Sequence, residues 1–296
     1  YVAGNSEPFR FTDEQAGREL ETDAIRARIE ASILNLSPET EALKPKEISP
    51  KVYRVELENA TVLRARVIVP LSGSAAAQEN AALAAVQFQG ARIEPGESLS
   101  FNQTVGMRTE ESGYTAAEEP AYGQNIVGVG GGVCQVSTAL YRLALLGGLE
   151  IAERSAAVYP VDYCEIGQEA AISDQGLDLV LTNNTDAPLF LVVRVYAEND
   201  GQTMEWQLIG KENESRFSLV SEVETIDAPE EPVYVRDSEG RYATYADERI
   251  PVSEARPGYR ATVSLVDENG ETVRVVSEDT YDAMAQIVYV GVQQRN

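Results

Sequence analysis

The stretch Val127 to Glu150, VGVGGGVCQVSTALYRLALLGGLE, sets Gly128, Gly130, Gly131 and Gly132 ahead of Cys134, one of only two cysteines in 296 residues. Glycines without a Cβ let the backbone take positive φ and lie close to a ligand or another chain segment. Such a turn feeding a helix start aims several unpaired N–H groups at one point. A cysteine inside that cluster is favoured as thiolate, because the helix dipole and the donors can bring its pKa from about 8.5 down to roughly 3.5–7.5. The same amides, around Gly130, Gly131 and Gly132, are suited to hold the oxyanion of an acyl-transfer intermediate. A small apolar packing role for Cys134, or a disulfide to Cys164, fits the same spacing. A phosphate loop fits poorly, since no Lys-Ser or Lys-Thr follows the glycines and no Rossmann-type unit surrounds them.

The chain holds no histidine. Ser-His-Asp and Cys-His catalysis within this chain are therefore excluded, as are His-ligated zinc sites. Proton transfer near neutral pH falls to a shifted Asp, Glu, Lys, Tyr or Cys, or to water. Lys and Arg number 24 against 48 Asp and Glu, a net charge of −24 that repels phosphate backbones and argues against nucleic-acid binding. The acidic pairs Asp13-Glu14 and Glu230-Glu231 supply no ordered oxygen-ligand loop, so no metal is assigned and no cofactor is expected. There is no apolar run long enough to span a bilayer. The first residue is Tyr1 rather than Met, which we take as a chain processed or truncated behind an export signal or an upstream membrane anchor.

The elements that must position Cys134 follow from periodicity. Helical spacing of Leu20, Ala24, Ile25, Ile29 and Ile33 predicts a helix over 21–35. Pro45 and Pro50 then mark an extended connector, followed by β-like runs at Tyr53–Leu57 and Val62–Val69. Ala75 to Gly90 is a second, Ala-rich helix stopped by glycine. The cysteine helix is predicted over 134–146, with Val136, Ala139, Leu140, Leu143 and Ala144 on one stripe and Gly147-Gly148 closing it. GLDLVLTNN, PLFLVVRVYAEND and QTMEWQLIGK then read as an antiparallel meander of three strands. From Glu222 the texture is that of a small β module, with a strand pair about the Glu268-Asn269-Gly270 turn.

PGESLSFNQTVGMRTEESGY, GVGGGVCQVSTALYRLALLGGLEIAER and LDLVLTNNTDAPLFL together resemble the VanW family of bacterial cell-envelope proteins over roughly Ala75 to Val195. FTDEQAGRELETDAIRARIEASI looks like the end of the peptidoglycan-binding-like domain that often precedes it. GYRATV, ENGETV and IVYVG resemble the G-five wall-associated module. The domains expected are thus a partial peptidoglycan-binding-like module and connector at 1–70, a VanW-like domain at 71–221 and a G-five-like β module at 222–296. The fold class is α+β, with the cysteine helix packed on antiparallel strands.

The resemblance implies an exported, cell-wall-facing or membrane-anchored surface protein of a Gram-positive-type bacterium, with peptidoglycan or its stem peptides as partner. It also implies an L,D-transpeptidase or carboxypeptidase in which Cys134 attacks a stem-peptide carbonyl and Gln135 and Ser137 orient the turn. Arg108 or Arg142 would receive a substrate carboxylate, and Asp162, Tyr163, Glu165 or Glu169 would take the acceptor's proton. The chain departs from the family where Arg-His-x-His is usual: the histidine positions are Ser155 and Ala157, and the following Arg and Asp are Gln168 and Glu169. A non-catalytic wall-binding or scaffolding protein that has lost the base is the competing expectation.

Overall fold

The computed structural model describes residues 9–36, 44–121, 124–198, 201–213 and 216–294. The chain forms two compact units, Tyr1–Val62 and Leu63–Asn296. In the first, β1 (Gly17–Glu19), α1 (Thr22–Leu34), β2 (Lys46–Ile48) and α2 (Arg54–Asn59) follow in order, with β1 and β2 antiparallel. The expected first helix is present, but Ile29, Ile33 and Leu34 on it are exposed. The β-like run at Tyr53–Leu57 is instead the start of α2. Local bonds decide this: the Glu56 carboxylate accepts the Tyr53 N–H at 3.0 Å, and Arg54 donates to Glu58 one turn on at 2.7 Å.

The second unit opens with β3 (Val62–Pro70), α3 (Ala75–Ala85), β4 (Arg92–Ile93), β5 (Ser98–Ser100) and α4 (Phe101–Val105). There follow β6 (Ala116–Ala121), β7 (Gln124–Val129), α5 (Cys134–Gly147), β8 (Glu150–Glu153), β9 (Val180–Thr182), β10 (Leu189–Glu198) and β11 (Gly201–Gly210). The last strands are β12 (Ser218–Ile226), β13 (Val233–Asp237), β14 (Arg249–Ser253), β15 (Gly258–Val266), β16 (Thr272–Tyr281) and β17 (Ile287–Gly291). The class is α+β, with, among the described residues, four α-helices shorter than α5 set among mostly antiparallel sheets.

The main sheet has the order β3-β11-β10-β4, and α3 and α5 pack on it. Its core holds Trp206 of β11 against Phe88, with ring centroids 5.4 Å apart, and Phe88 against Phe101 at 5.2 Å. Each such buried aromatic or aliphatic side chain contributes about 1.5–3 kcal/mol. Trp206 is therefore a core residue. The stripe predicted for α5 is buried throughout, and the helix ends where Gly148 turns left-handed at φ 78°.

The three-strand meander is only partly realised. β10 and β11 form a hairpin, but β9 pairs with β5 and β8 in a separate sheet. The cause is Asn183, fully buried, whose amide donates to the Ile93 and Ala187 carbonyls at 2.9 Å each and so carries the chain from one sheet to the other. The β15–β16 hairpin forms about the turn predicted for it, and β12 joins it on the other edge of β15. The β12 strand begins at Ser218.

One glycine at the head of α5 is sterically obligatory. Gly132 has φ +99°, and a Cβ there would lie 2.4 Å from the Ala77 carbonyl oxygen in the first turn of α3. Gly96, at φ +78°, faces open space. Gly132→Ala is expected to lower the unfolding free energy by about 3 kcal/mol, against about 1–2 kcal/mol for Gly96→Ala, which carries only the left-handed backbone cost. Urea denaturation of the two variants measures the difference.

Candidate functional site

Cys134 is the first residue of α5 and is half-buried, with Val133 before it offering no side-chain cap. Neither Cys134 nor Cys164 is in a disulfide. The Cys134 sulfur donates to the Ile172 carbonyl at 3.7 Å. Helix position favours the thiolate, while a carbonyl acceptor favours the thiol, so the neighbourhood pulls in both directions.

The glycine turn is shaped by contacts with its own protein. A Cβ on Gly131 would come within 2.7 Å of the Ala117 carbonyl on β6, and one on Gly130 within 2.9 Å of the Arg108 Cβ. Of the amides expected to face an oxyanion, those of Gly130 and Gly131 are taken up within the protein: Gly131 donates to the Gly128 carbonyl, and the Val133 amide beside them donates to that of Gly130. Gly130 donates to Thr115 on the neighbouring chain segment.

Gln135 and Ser137 are buried and act on the surrounding chain. The Gln135 amide oxygen accepts from the Ser72 N–H at 2.8 Å and its nitrogen donates to the Ser72 carbonyl at 3.2 Å, tying the helix start to the loop before α3. Ser137 donates to the Ala170 carbonyl at 2.6 Å, while the Thr138 hydroxyl accepts the Ala170 N–H at 3.1 Å. Both polar groups of one residue are thereby pinned to the first turns of α5. Residues 165–172 form a strap that runs along the helix and ends at the carbonyl facing Cys134.

Arg108 is not available to a substrate. Its buried guanidinium pairs with Asp174 at 2.5 Å and donates to the Asn102 side chain at 2.7 Å, and the Asn102 amide in turn donates to the Ser173 and Leu177 carbonyls. It holds the chain just after the strap to α4. Asp162 is exposed. Burial, and then the neighbouring Cys134, push the Tyr163 phenol well above its ordinary pKa, with Thr138 as a hydrogen-bond partner. Tyr163 thus keeps its proton at neutral pH and suits a donor role, not that of a proton acceptor.

Glu169 is fully buried and occupied. One carboxylate oxygen accepts from Tyr281 Oη at 2.5 Å and from the Ala157 N–H at 3.2 Å; the other accepts the Gly167 N–H at 3.1 Å. Arg154 lies 3.6 Å from the same carboxylate, donates to the carbonyls of Gly167 and Glu169, and pairs with both oxygens of Asp279 at 2.6–2.7 Å. Its guanidinium covers the Tyr141 ring at 5.3 Å. Sequence reasoning missed Arg154, Asp279 and Tyr281, because no local pattern links residues more than a hundred positions apart. Ser155 and Ala157 border this cluster: Ser155 bridges to Ala171, and Ala157 donates to Glu169.

Arg142, on the same helix as Cys134, lines a cleft of about 280 Å³ with Leu146, Glu165, Gln168, Phe217 and Leu219. Its Nε is sealed from solvent without a hydrogen-bond acceptor. Among the described residues no group of three His, Cys, Asp or Glu side chains converges as a metal site, and no helix is long and apolar enough to cross a membrane.

Residues 76–207 match the family model described as VanW like protein. The chain is 34% identical over 125 residues to the uncharacterized protein YoaR of Bacillus subtilis (strain 168), covering 42% of this chain and 41% of YoaR. It is 28% identical over 180 residues to the vancomycin B-type resistance protein VanW of Enterococcus faecalis (strain ATCC 700802 / V583), covering 59% of this chain and 61% of that protein. The chain thus aligns with less than two thirds of the length of either relative. Among solved structures, HP0197-G5 aligns over 26% of this chain and all of its own at 15% identity, with a TM-score of 0.14 that carries no weight.

The two thiols are expected to differ sharply in reactivity. Burial, and then the Glu169 charge, push Cys164 up to about 12. Because this raised pKa favours the protonated form, folding gains from it below about pH 9 and loses that gain as pH rises toward 12. Titration with 5,5′-dithiobis(2-nitrobenzoate) at pH 7–9 should label Cys134 alone, and Cys134→Ser should abolish the native-state signal while leaving Cys164 reactive in denaturant.

Proposed function

We propose, from the VanW-like domain at residues 76–207, that this is a cell-wall-associated protein acting on peptidoglycan stem peptides by acyl transfer through Cys134, in the manner of an L,D-transpeptidase. The observation that supports it is the placement of a partly exposed cysteine, outside any disulfide, as the opening residue of a buried 14-residue helix. The Cys134 thiolate adds to a stem-peptide carbonyl, the C–N bond to the terminal residue breaks, and the departing amine takes its proton from water. An acceptor amine then attacks the thioester, gives up a proton to solvent and returns the thiolate. Water carries the protons because the chain has no imidazole and Glu169 is engaged. With Arg108 paired to Asp174, Arg142, which lines the cleft beside Glu165 and Gln168, is the cation assigned to a substrate carboxylate.

A specific observation favours a second reading, a non-catalytic wall-binding homologue. Ser155 and Ala157 stand at the family's histidine positions, and the carboxylate nearest them is saturated with hydrogen bonds. The export, surface anchoring and G-five-like character of residues 222–296 belong to both readings.

Incubation with purified muropeptides separates the two. Acyl transfer predicts 3-3 cross-linked dimers or trimmed tripeptides from the wild type and none from Cys134→Ser. Sacculus binding without any such product, unchanged in Cys134→Ser, overturns acyl transfer and supports the scaffold. Under the catalytic reading Arg142→Gln should raise KM about tenfold or more with kcat little changed, the loss of a hydrogen bond to a charged group being about 1.5–3 kcal/mol.

A further inference from the structure

The geometry points to the C-terminal strands as the gate of the Cys134 thiol: Asp279 and Tyr281 on β16, through Arg154 and Glu169, hold the 165–172 strap closed on the first turns of α5. The inference concerns access to the sulfur, and it stands whether or not Cys134 performs acyl transfer.

The strap is held from two sides. On the helix side, Ser137 and Thr138 take both polar groups of Ala170, and the Ile172 carbonyl faces the Cys134 sulfur. On the far side the strap rests on residues 154–157, with Ala171 N–H donating to the Ser155 carbonyl at 2.8 Å and Ala157 N–H to Glu169, and this segment is itself anchored by the C-terminal strands. Tyr281 donates to Glu169, Asp279 pairs with Arg154, and Arg154 donates to the strap carbonyls of Gly167 and Glu169. Gln168 donates to Ser221 on β12. The fit is tight at Gly167, φ +91°, where a Cβ would meet Val263 Cγ2 of β15 at 2.7 Å. Glu169 and Arg154 are almost wholly withdrawn from water, so releasing either from its partner leaves a buried charge uncompensated and favours local opening. Opening removes the carbonyl lying over the sulfur and uncovers the helix start. Asp279 and Tyr281 are positioning residues in this scheme, since neither touches Cys134. A force or ligand that displaced the C-terminal strands would raise thiol exposure, coupling the two parts of the chain.

The test uses the full chain carrying Cys164→Ser, with iodoacetamide as the probe. Labelling of Cys134 is followed across pH 6–9 in Tyr281→Phe and Asp279→Asn, together with amide hydrogen exchange of residues 165–172. A third variant, Val193→Ala, removes buried methyl groups from β10 and supplies a control destabilised without touching the strap. The gate predicts labelling at least about tenfold faster in the two β16 variants, equivalent to about 1.4 kcal/mol of opening, with faster exchange confined to the strap and little change in Val193→Ala. A labelling rate unchanged while strap exchange quickens overturns the proposal. So does an equal acceleration in Val193→Ala, which would mark general breathing. Muropeptide turnover enters none of these readouts, so failure of acyl transfer leaves the test intact.

Discussion

The structure around Cys134 depends on one buried carboxylate. Glu169 sits out of contact with water and takes hydrogen bonds from a tyrosine and two backbone amides, with an arginine beside it. An ionised group in such a place is tolerable only if every donor is present, and removing one partner of a buried charged pair typically costs about 3–5 kcal/mol. Three distant parts of the chain must therefore meet there: residues 154–157, the strap, and β16. The requirement fixes the strap on α5, and the strap fixes what surrounds the sulfur.

This arrangement reassigns residues that look catalytic in isolation. Arg108 serves Asp174 and Asn102, Gln135 serves Ser72, and Ser137 serves Ala170. The glycines buy closeness between α5, α3 and β6. Cys134 is left as the reactive group least absorbed by packing, and Arg142 as a cation whose Nε has no acceptor. Under the acyl-transfer reading proposed above, a thiolate at a helix start needs no base to attack, so the absence of histidine would bear only on proton delivery to the departing amine and removal from the incoming one.

Cys164 shows how the same cluster acts electrostatically. It lies near Glu169, in a desolvated setting that opposes a second negative charge, and remains a thiol far into alkaline pH. Tyr163 is held in its neutral form by the same kind of burial. Cys134 sits apart from this cluster, at the start of α5.

Much of the local structure was legible in the residues themselves. The 3.6-residue stripe of α5, its glycine stop and the Asn-Gly turn of the β15–β16 hairpin depend on neighbours a few positions away, and they formed where the pattern put them. The helix at Arg54–Asn59 was misread because apolar alternation outweighed a capping carboxylate and one ion pair. The break between β9 and β10 was hidden because one buried asparagine, not a turn motif, redirects the chain. The amino-acid sequence alone determined that Cys134 opens a glycine-led helix in a chain without imidazole. Only the tertiary structure decided which charged groups are already paired, because the Arg154–Asp279 and Glu169–Tyr281 contacts join residues whose proximity follows from sheet packing and leaves no periodic trace along the chain.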